Sequence, residues 1–274
     1  MSKGFLIFAF NNEVIDYLGH ALWIADRIER ILGLPTSIVT DTKSAETKTD
    51  VKHNLVLTDA IAGHQRNFDI NQQDKVAEWK NVNRFQAYDL SPYDETVVID
   101  SDYIVNSAQL LNLFGSQEDF LVHRKPFDIT DRDHFQPYDY LPRYQFPHYW
   151  ATVIYFKKTE FAKQMFEVMQ MIKENYGHYA RLYKFRSSPF RNDYAVSIAM
   201  SIMYGHRINS IPAIPWNMPM IANSAEIKQL DDRRFEINYQ KNINKTDKPM
   251  RVTVNDQDIH FLNKFSLEEM VNGN

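Results

Sequence analysis

The sequence predicts an α/β fold, a mixed and mostly parallel sheet flanked by helices, and three stretches carry that prediction. Gly4–Phe10, an amphipathic pattern reaching Leu32, and Thr36–Thr40 read as strand, helix and strand. That order is a βαβ unit, whose right-handed crossover lays its two strands parallel in one sheet. Thr96–Ile99 is a short run of β-branched and apolar residues, read as a buried strand. Tyr149–Phe156 followed by Thr159–Tyr176 repeats the strand-then-helix pattern in the second half of the chain. At 274 residues the chain can bury a sizeable core, and one large domain over 1–274 is expected.

Taken in order, Gly4–Phe10 is an unbroken apolar run and Asn11-Asn12 after it is a turn pair. From Glu13 the residues Leu18, Ala21, Leu22, Ala25, Ile28 and Leu32 recur at three- and four-residue steps and form one helical face, which Gly33-Leu34-Pro35 stops. Thr36–Thr40 ends at Asp41, and Asn54–Thr58 is a short strand. Lys75–Leu90 is expected to be a helix with Val76, Trp79, Val82 and Phe85 on one side. Ser91-Pro92-Tyr93-Asp94 turns into the strand Thr96–Ile99. A helix over Ala108–Phe114 and a strand over Phe120–Val122 follow. His123–His148 is a long loop rich in Arg, Tyr, Phe and Pro, of the kind that serves as a lid or binding loop. Thr159–Tyr176 buries Phe161, Met165, Val168, Met169 and Ile172, the methionines as core filler.

Further on, Phe190–Met200 reads as a helix start with Asn192 or Asp193 as N-cap. Pro212, Pro215 and Pro219 mark an irregular segment around Trp216-Asn217. Ala225–Lys248 is polar with weak strand signals, and Lys241–Lys248 is a solvated loop. Arg251–Val254 and Ile259–Leu262 read as a hairpin turning at Asp256-Gln257-Asp258. Ser266-Leu267-Glu268-Glu269 has the form of a capping box on a last helix.

Chemistry enters where the strand Thr96–Ile99 ends in Asp100-Ser101-Asp102. In open α/β sheets ligands bind outside the carboxyl ends of the strands. Two carboxylates at i and i+2 leaving such a strand can both reach one hard cation, Mg²⁺ or Mn²⁺, whose other positions go to water and phosphate oxygens. The spacing recurs at Asp131-Arg132-Asp133, in a Pro- and aromatic-rich loop, and at Asp256-Gln257-Asp258, in a polar turn. Only Asp100 and Asp102 follow a buried strand. The competing reading is a solvated loop with Asp102 capping the next segment.

An apolar strand running into Asp-x-Asp behind a βαβ opening resembles the metal-dependent glycosyltransferases of the GT-A (Rossmann-like) fold, with the retaining family 8 members the nearest pattern. The resemblance implies transfer of a hexosyl or pentosyl group from a nucleotide-sugar, a UDP-sugar first, to an acceptor hydroxyl. It places Asp100, Asp102 and His260 on Mn²⁺ or Mg²⁺. Ala9, Phe10 and Asn11 would contact base and ribose, with Asp41 a further contact, and Tyr17 either stacks on the base or packs in the core. Ser101 lies beside the nucleotide, and Lys264 reaches the diphosphate. Arg84 reaches the diphosphate or sugar, or is a surface arginine. Asp193 faces the reacting sugar or the acceptor hydroxyl as the catalytic carboxylate, or is a plain cap. Ile259–Lys264 resembles the family's C-terminal pattern, with Asn263 near an expected Gly, and Tyr194 stands where that family has another polar residue. Residues 1–122 would form a nucleotide-binding half, and 123–274 an acceptor-binding half that closes the metal site.

Composition limits the partners. A net charge of −4 argues against binding nucleic acid through overall charge and leaves local basic patches open. With no cysteine there is neither a disulfide framework nor thiolate chemistry. Gly4–Phe10 is too short for a signal segment and no stretch approaches a membrane span, so a cytoplasmic protein without a membrane partner is expected. Segments 123–145 and 178–191 interleave basic and aromatic residues, which suits phosphate contacts with base stacking. A hydroxylated base in DNA is therefore one acceptor class, beside sugars and protein surfaces. Two readings come from other classes. One is a haloacid-dehalogenase-type phosphatase with Asp100 as nucleophile. The other is a non-catalytic binding module of the same fold.

Overall fold

The computed structural model describes residues 1–61, 63–70, 73–124, 126–130, 140–141, 146–184, 189–206, 211–221, 224–240 and 248–273, with backbone alone at 68–70, 73–75, 140–141 and 146. Strand β1 (Lys3–Phe8) is joined by helix α1 (Tyr17–Leu32) to β2 (Thr36–Thr40), and the single turn α2 (Thr42–Ala45) leads to β3 (Asn54–Leu57). A hairpin of β4 (His64–Ile70) and β5 (Gln73–Trp79) precedes a 3₁₀ turn, Arg84–Gln86, and the short α3 (Ala87–Leu90). Then come β6 (Glu95–Ile99), β7 (Tyr103–Ile104), β8 (Phe120–His123) and β9 (Pro126–Asp128). The two-residue strands β10 (Tyr140–Leu141) and β11 (Phe146–Pro147) pair with each other ahead of β12 (Trp150–Lys157).

Helices α4 (Glu160–Glu174), α5 (Tyr176–Leu182) and α6 (Asn192–Met203) are followed by β13 (Met218–Ile221), β14 (Glu226–Gln229), β15 (Arg234–Tyr239) and β16 (Met250–Asn255). Strand β17 (Ile259–Phe261) and helix α7 (Lys264–Asn272) complete the described elements. The central sheet has the order β3-β2-β1-β6-β12-β8. Strands β3, β2, β1 and β6 are parallel neighbours, and β12 runs antiparallel to both β6 and β8. The architecture is mixed α/β with a mostly parallel sheet.

Both faces of that sheet are covered, which is why its strands show no polar alternation. Successive side chains point to opposite faces. Phe5, Ile7, Val97, Ile99, Val153 and Tyr155 go to one core with α1 and α7, while Leu6, Phe8, Val98, Ile154 and Phe156 go to the other with α4 and α6. Asp16 caps α1 by accepting from the Gly19 amide, and Gly33 ends it at φ 66°, a left-handed conformation glycine adopts without strain. Thr159 caps α4, whose Met165, Met169 and Ile172 are buried as expected.

A second sheet, β7-β17-β13-β9, stands at the carboxyl end of β6. It overturns the expected hairpin of Arg251–Val254 with Ile259–Leu262. Strand β16 pairs with β15 in a separate meander, while β17 pairs with β7 and β13. Asp258 is no polar turn residue. Its buried carboxylate accepts the Asn106 and Ser107 amides, each at 2.7 Å, and ties the chain after β7 to the chain before β17.

Other expectations are corrected as well. Lys75–Leu90 is not one helix, because Gln73–Trp79 pairs with His64–Ile70, leaving Val76 exposed at 60% and Ala77 buried. Cross-strand pairing overrides the local helical pattern there. Ala108–Phe114 is a 3₁₀ helix over Gln109–Leu113. Asn192 and Asp193 are the first residues of α6 rather than its cap, and Arg191 at the cap position makes no side-chain capping bond. Asn263 caps α7 by accepting from the Ser266 amide at 3.2 Å, whereas the Ser266 hydroxyl accepts from Ile227 at 2.9 Å, so the capping box does not form. The loop expected over His123–His148 contributes β9 to the second sheet, while 131–139, with Asp131-Arg132-Asp133, and 142–145 lie outside the described residues, as do 241–247. Among the described residues no helix is long and apolar enough to cross a membrane.

Candidate active site

Asp100 and Asp102 leave the end of β6 in a tight turn, with the Asp100 amide donating to Thr152 on β12 at 3.0 Å and the Tyr103 amide donating back to Asp100 at 3.1 Å. The second sheet then delivers what the first cannot. Strand β17 lies antiparallel to β7 with His260 opposite Tyr103, and the Phe261 amide donates to the Asp102 carbonyl at 2.9 Å. His260 Nε2 thereby faces both carboxylates, 3.4 Å from Asp102 Oδ1 and 3.8 Å from Asp100 Oδ2. Its Nδ1 lies 3.4 Å from the Thr152 hydroxyl. Lys264, at the start of α7, donates to Asp102 Oδ2 at 2.7 Å across a sequence separation of 162. Arg84, 1% exposed, donates to Asp100 Oδ1 and to the Ala151 carbonyl. A surface arginine is therefore excluded.

One ligand atom from each of Asp100, Asp102 and His260 lies within 4.8 Å of the others. Two carboxylates and a nitrogen, with no thiolate, form a donor set that fits Mn²⁺ or Mg²⁺. Thr152 at Nδ1 orients the ring so that Nε2 faces the carboxylates, the arrangement seen behind metal-binding imidazoles generally. Burial pushes the Asp102 carboxyl upward, but Lys264 and His260 outweigh it and hold Asp102 well below the usual carboxylate range. Asp102 is thus an anion at any ordinary pH.

Asp100, Ser101, Asp102, His260, Lys264, Arg84, Tyr17 and Asp193, eight of the expected site residues, line a single cavity of about 220 Å³. Tyr17 is 9% exposed and its hydroxyl has no hydrogen-bond partner among the described residues. Burial raises its pKa well above the ordinary phenol value, so it remains an O–H donor. Asp193 Oδ1 accepts the Ala151 amide at 2.9 Å, and Oδ2 accepts two bonds from Arg191 at 2.6 and 3.0 Å. Burial acts to raise its pKa, yet Arg191, then His148 and the Ala151 amide, bring it below the ordinary value. A carboxylate held this way is a poor proton acceptor.

Ala9, Phe10, Asn11 and Asp41 do not line that cavity. The Ala9 and Phe10 side chains are in the core, at 0% and 2% exposure. Asn11 donates to Asp16 at 2.8 Å and accepts the Leu18 amide at 2.8 Å, and Asp41 caps α2 by accepting from Ser44 at 2.6 Å. These side chains are consumed by the turn after β1 and the start of α2. Residues outside the expected site set line the cavity as well, notably Arg66, Trp79 and Trp150, together with Arg191 from the basic-aromatic segment 178–191. The Arg66 guanidinium stacks on Trp79 at 3.7 Å, and Arg191 lies 5.9 Å from the Trp150 ring. The alternation around Ala77 was the available signal for Trp79, while Arg66 lies in a stretch with no clear period.

No protein-family model matches the chain, and no curated protein matches it. Among solved structures it is similar to the galactosyltransferase LgtC in complex with donor and acceptor sugar analogues, at 10% identity over 70% of this chain and 69% of that one, with a TM-score of 0.44. The glycosyltransferase GlyE of Streptococcus pneumoniae TIGR4 matches at 10% identity and TM-score 0.43, over 78% of this chain and 46% of that one. A 4-diphosphocytidyl-2C-methyl-D-erythritol synthase of Anaerococcus prevotii matches at 11% identity and TM-score 0.40, over 78% of this chain and 88% of that one. Similarity this remote assigns no activity.

Proposed function

We propose that the protein is a metal-dependent glycosyltransferase of the GT-A type that moves a sugar from a nucleotide-sugar, a UDP-sugar first, to an acceptor hydroxyl. The observation that supports this most is the convergence of Asp100, Asp102 and His260 from two sheets, backed by Lys264 and Arg84. Departure of the nucleoside diphosphate from the anomeric carbon is the difficult event, because negative charge grows on the leaving phosphate. Asp100, Asp102 and His260 would hold Mn²⁺ or Mg²⁺, which when bound would supply positive charge at that phosphate. Lys264 adds a second cation beside it, while Arg84 holds Asp100 turned to the cavity. Tyr17 supplies a hydroxyl donor to the donor substrate.

In the transfer the bond from the anomeric carbon to the phosphate oxygen breaks and a bond to the acceptor oxygen forms. The acceptor proton passes to the departing phosphate oxygen rather than to Asp193, whose two oxygens are already engaged and whose basicity is low. Asp193 instead positions Arg191 and the Ala151 amide at the sugar. Residues 1–122 and 123–274 share the donor in this reading, since His260 and Lys264 come from the second half. The phosphatase reading needs a protonated acid beside its nucleophile, and Asp102 as held here does not keep a proton.

Calorimetric titration with nucleoside diphosphates and nucleotide-sugars, in Mn²⁺ and in chelator, tests the proposal on the wild type and on Asp102→Ala. Binding of one nucleotide that needs the metal and is lost in the variant is the expected result. Binding indifferent to chelator, or none at all, would overturn it.

A further inference from the structure

Beside the donor cavity lies a larger cleft of about 550 Å³, walled by the start of the hairpin, the end of α4, α5 and the chain before α6. The two spaces share their walls. His64 lines the cleft and Arg66 the cavity, on the same face of β4, and Arg66 Nε donates to His64 Nε2 at 3.3 Å. Phe190 likewise lines the cleft and the next residue, Arg191, lines the cavity. A polymer lying in the cleft therefore has direct access to the donor sugar.

The lining of the cleft is one-signed. Lys173 and Arg181 supply its charged side chains, His64 is a neutral ring whose Nε2 accepts from Arg66, and no carboxylate is among the lining residues. Tyr176 and Phe190, edge to face at 5.4 Å, add half-buried ring surface, and Gly177 leaves open space where a side chain would stand. At the junction, Arg66 has no carboxylate within salt-bridge distance among the described residues, whereas Arg84, Lys264 and Arg191 each have one. A stacked, partly buried guanidinium with no ion-pair partner among the described residues is a place for an anion. Cations alternating with ring surface along a groove are what a single strand of nucleic acid requires, phosphates on the cations and bases on the rings.

We infer that this cleft seats a nucleic-acid strand and presents a hydroxyl carried by that strand to the donor site. The seat itself is independent of the glycosyltransferase reading; only the use of the hydroxyl rests on it. The strand runs past Arg181 and Lys173 toward His64, and Arg66 takes the phosphate nearest the sugar.

Fluorescence anisotropy of a labelled single-stranded oligonucleotide, in chelator and without donor, tests the seat apart from the chemistry. Arg181→Glu and Gly177→Glu each place a negative charge in the cleft, and the Gly177 position is open space, so the second variant does not disturb packing. Both are expected to weaken binding about tenfold or more. Loss of the Arg181 contact should flatten the logarithmic salt dependence by about 0.7. Lys163→Glu, an exposed change on α4 outside the cleft, is expected to leave binding within about twofold. Nucleotide titration of the two cleft variants should match the wild type. The inference is overturned if the wild type shows no salt-dependent binding, if Lys163→Glu weakens it equally, or if polyglutamate competes as well as unlabelled oligonucleotide. Oligonucleotide binding without any nucleotide-sugar binding would leave the seat standing and remove the transferase reading alone.

Discussion

The two walls of the cavity are built on opposite electrostatic plans. On the wall formed by β6, β17 and α7, every carboxylate meets a cation: Asp100 meets Arg84 and Asp102 meets Lys264, with His260 facing both. That wall is also tied into two sheets by backbone bonds on either side of the turn. On the wall formed by the β4–β5 hairpin, Arg66 rests on Trp79 with no carboxylate within salt-bridge distance among the described residues. Under the proposed transferase reading, the contrast separates where the charge of the donor and that of the acceptor would be met. A paired wall can exchange a counter-ion for a metal and a diphosphate without leaving charges stranded, whereas an unpaired guanidinium gains most from an anion that arrives with the acceptor.

Substitutions can break this contrast, and the largest effect is expected on the paired wall. Asp102→Asn should abolish metal-dependent donor binding and lower turnover on the order of a thousandfold, read by calorimetry and by nucleotide release. Arg84→Met leaves Asp100 and the Ala151 carbonyl without their partner and should cost about 3 to 5 kcal/mol of stability in urea unfolding. An Arg84 variant of unchanged stability would mean that the paired wall is not held by that ion pair.

His20 of α1 sharpens the comparison through pH. It is 1% exposed, neither ring nitrogen has a partner among the described residues, and burial lowers its pKa from 6.5 to about 4. Because the unfolded chain takes the proton more readily, its contribution to stability is full above pH 6.5 and is lost as pH falls toward about 4, up to about 3 kcal/mol in all. Urea midpoints at descending pH should show that fall in the wild type and a flatter one in His20→Leu.

Across the cavity, Arg66→Gln should lower kcat/KM for the acceptor about 10- to 100-fold while donor binding is unchanged. A weakened donor instead would erase the distinction between the walls. The smallest effect belongs to Asn263→Ala, which removes the cap of α7 and should cost about 1 kcal/mol. Donor affinity retained in that variant would show that Lys264 is positioned by Asp102 rather than by the cap.

The wall formed by β6, β17 and α7 was more legible in the sequence than the hairpin wall. Asp100 and Asp102 announce themselves locally, since an apolar strand ending in two carboxylates leaves few places for them but the sheet rim. His260 and Lys264 came from the resemblance, and structure adds the register that faces them to Asp102. Ala9, Phe10, Asn11 and Asp41 share the right sheet edge, but that position says nothing about whether a side chain is free. Each of these four is taken up by core or turn. Arg66 had no local mark, and the alternation around Ala77 that marks Trp79 competed with the helical spacing of Val76, Trp79 and Val82; the placement of both comes from pairing β5 with β4.

By itself the sequence determined which segments are strands and helices of the sheet layers, where Gly33 ends the first helix, and which strand ends in carboxylates. These are written in short-range periodicity, one side chain at a time. Tertiary structure alone decided that β12 inserts antiparallel between β6 and β8, that β17 leaves its expected hairpin to lie on β7, and that a hairpin supplies the fourth cation. The reason is physical. A strand buried on both faces carries no record of which strand lies beside it, and register is set by the partner and the turn rather than by the strand's own residues.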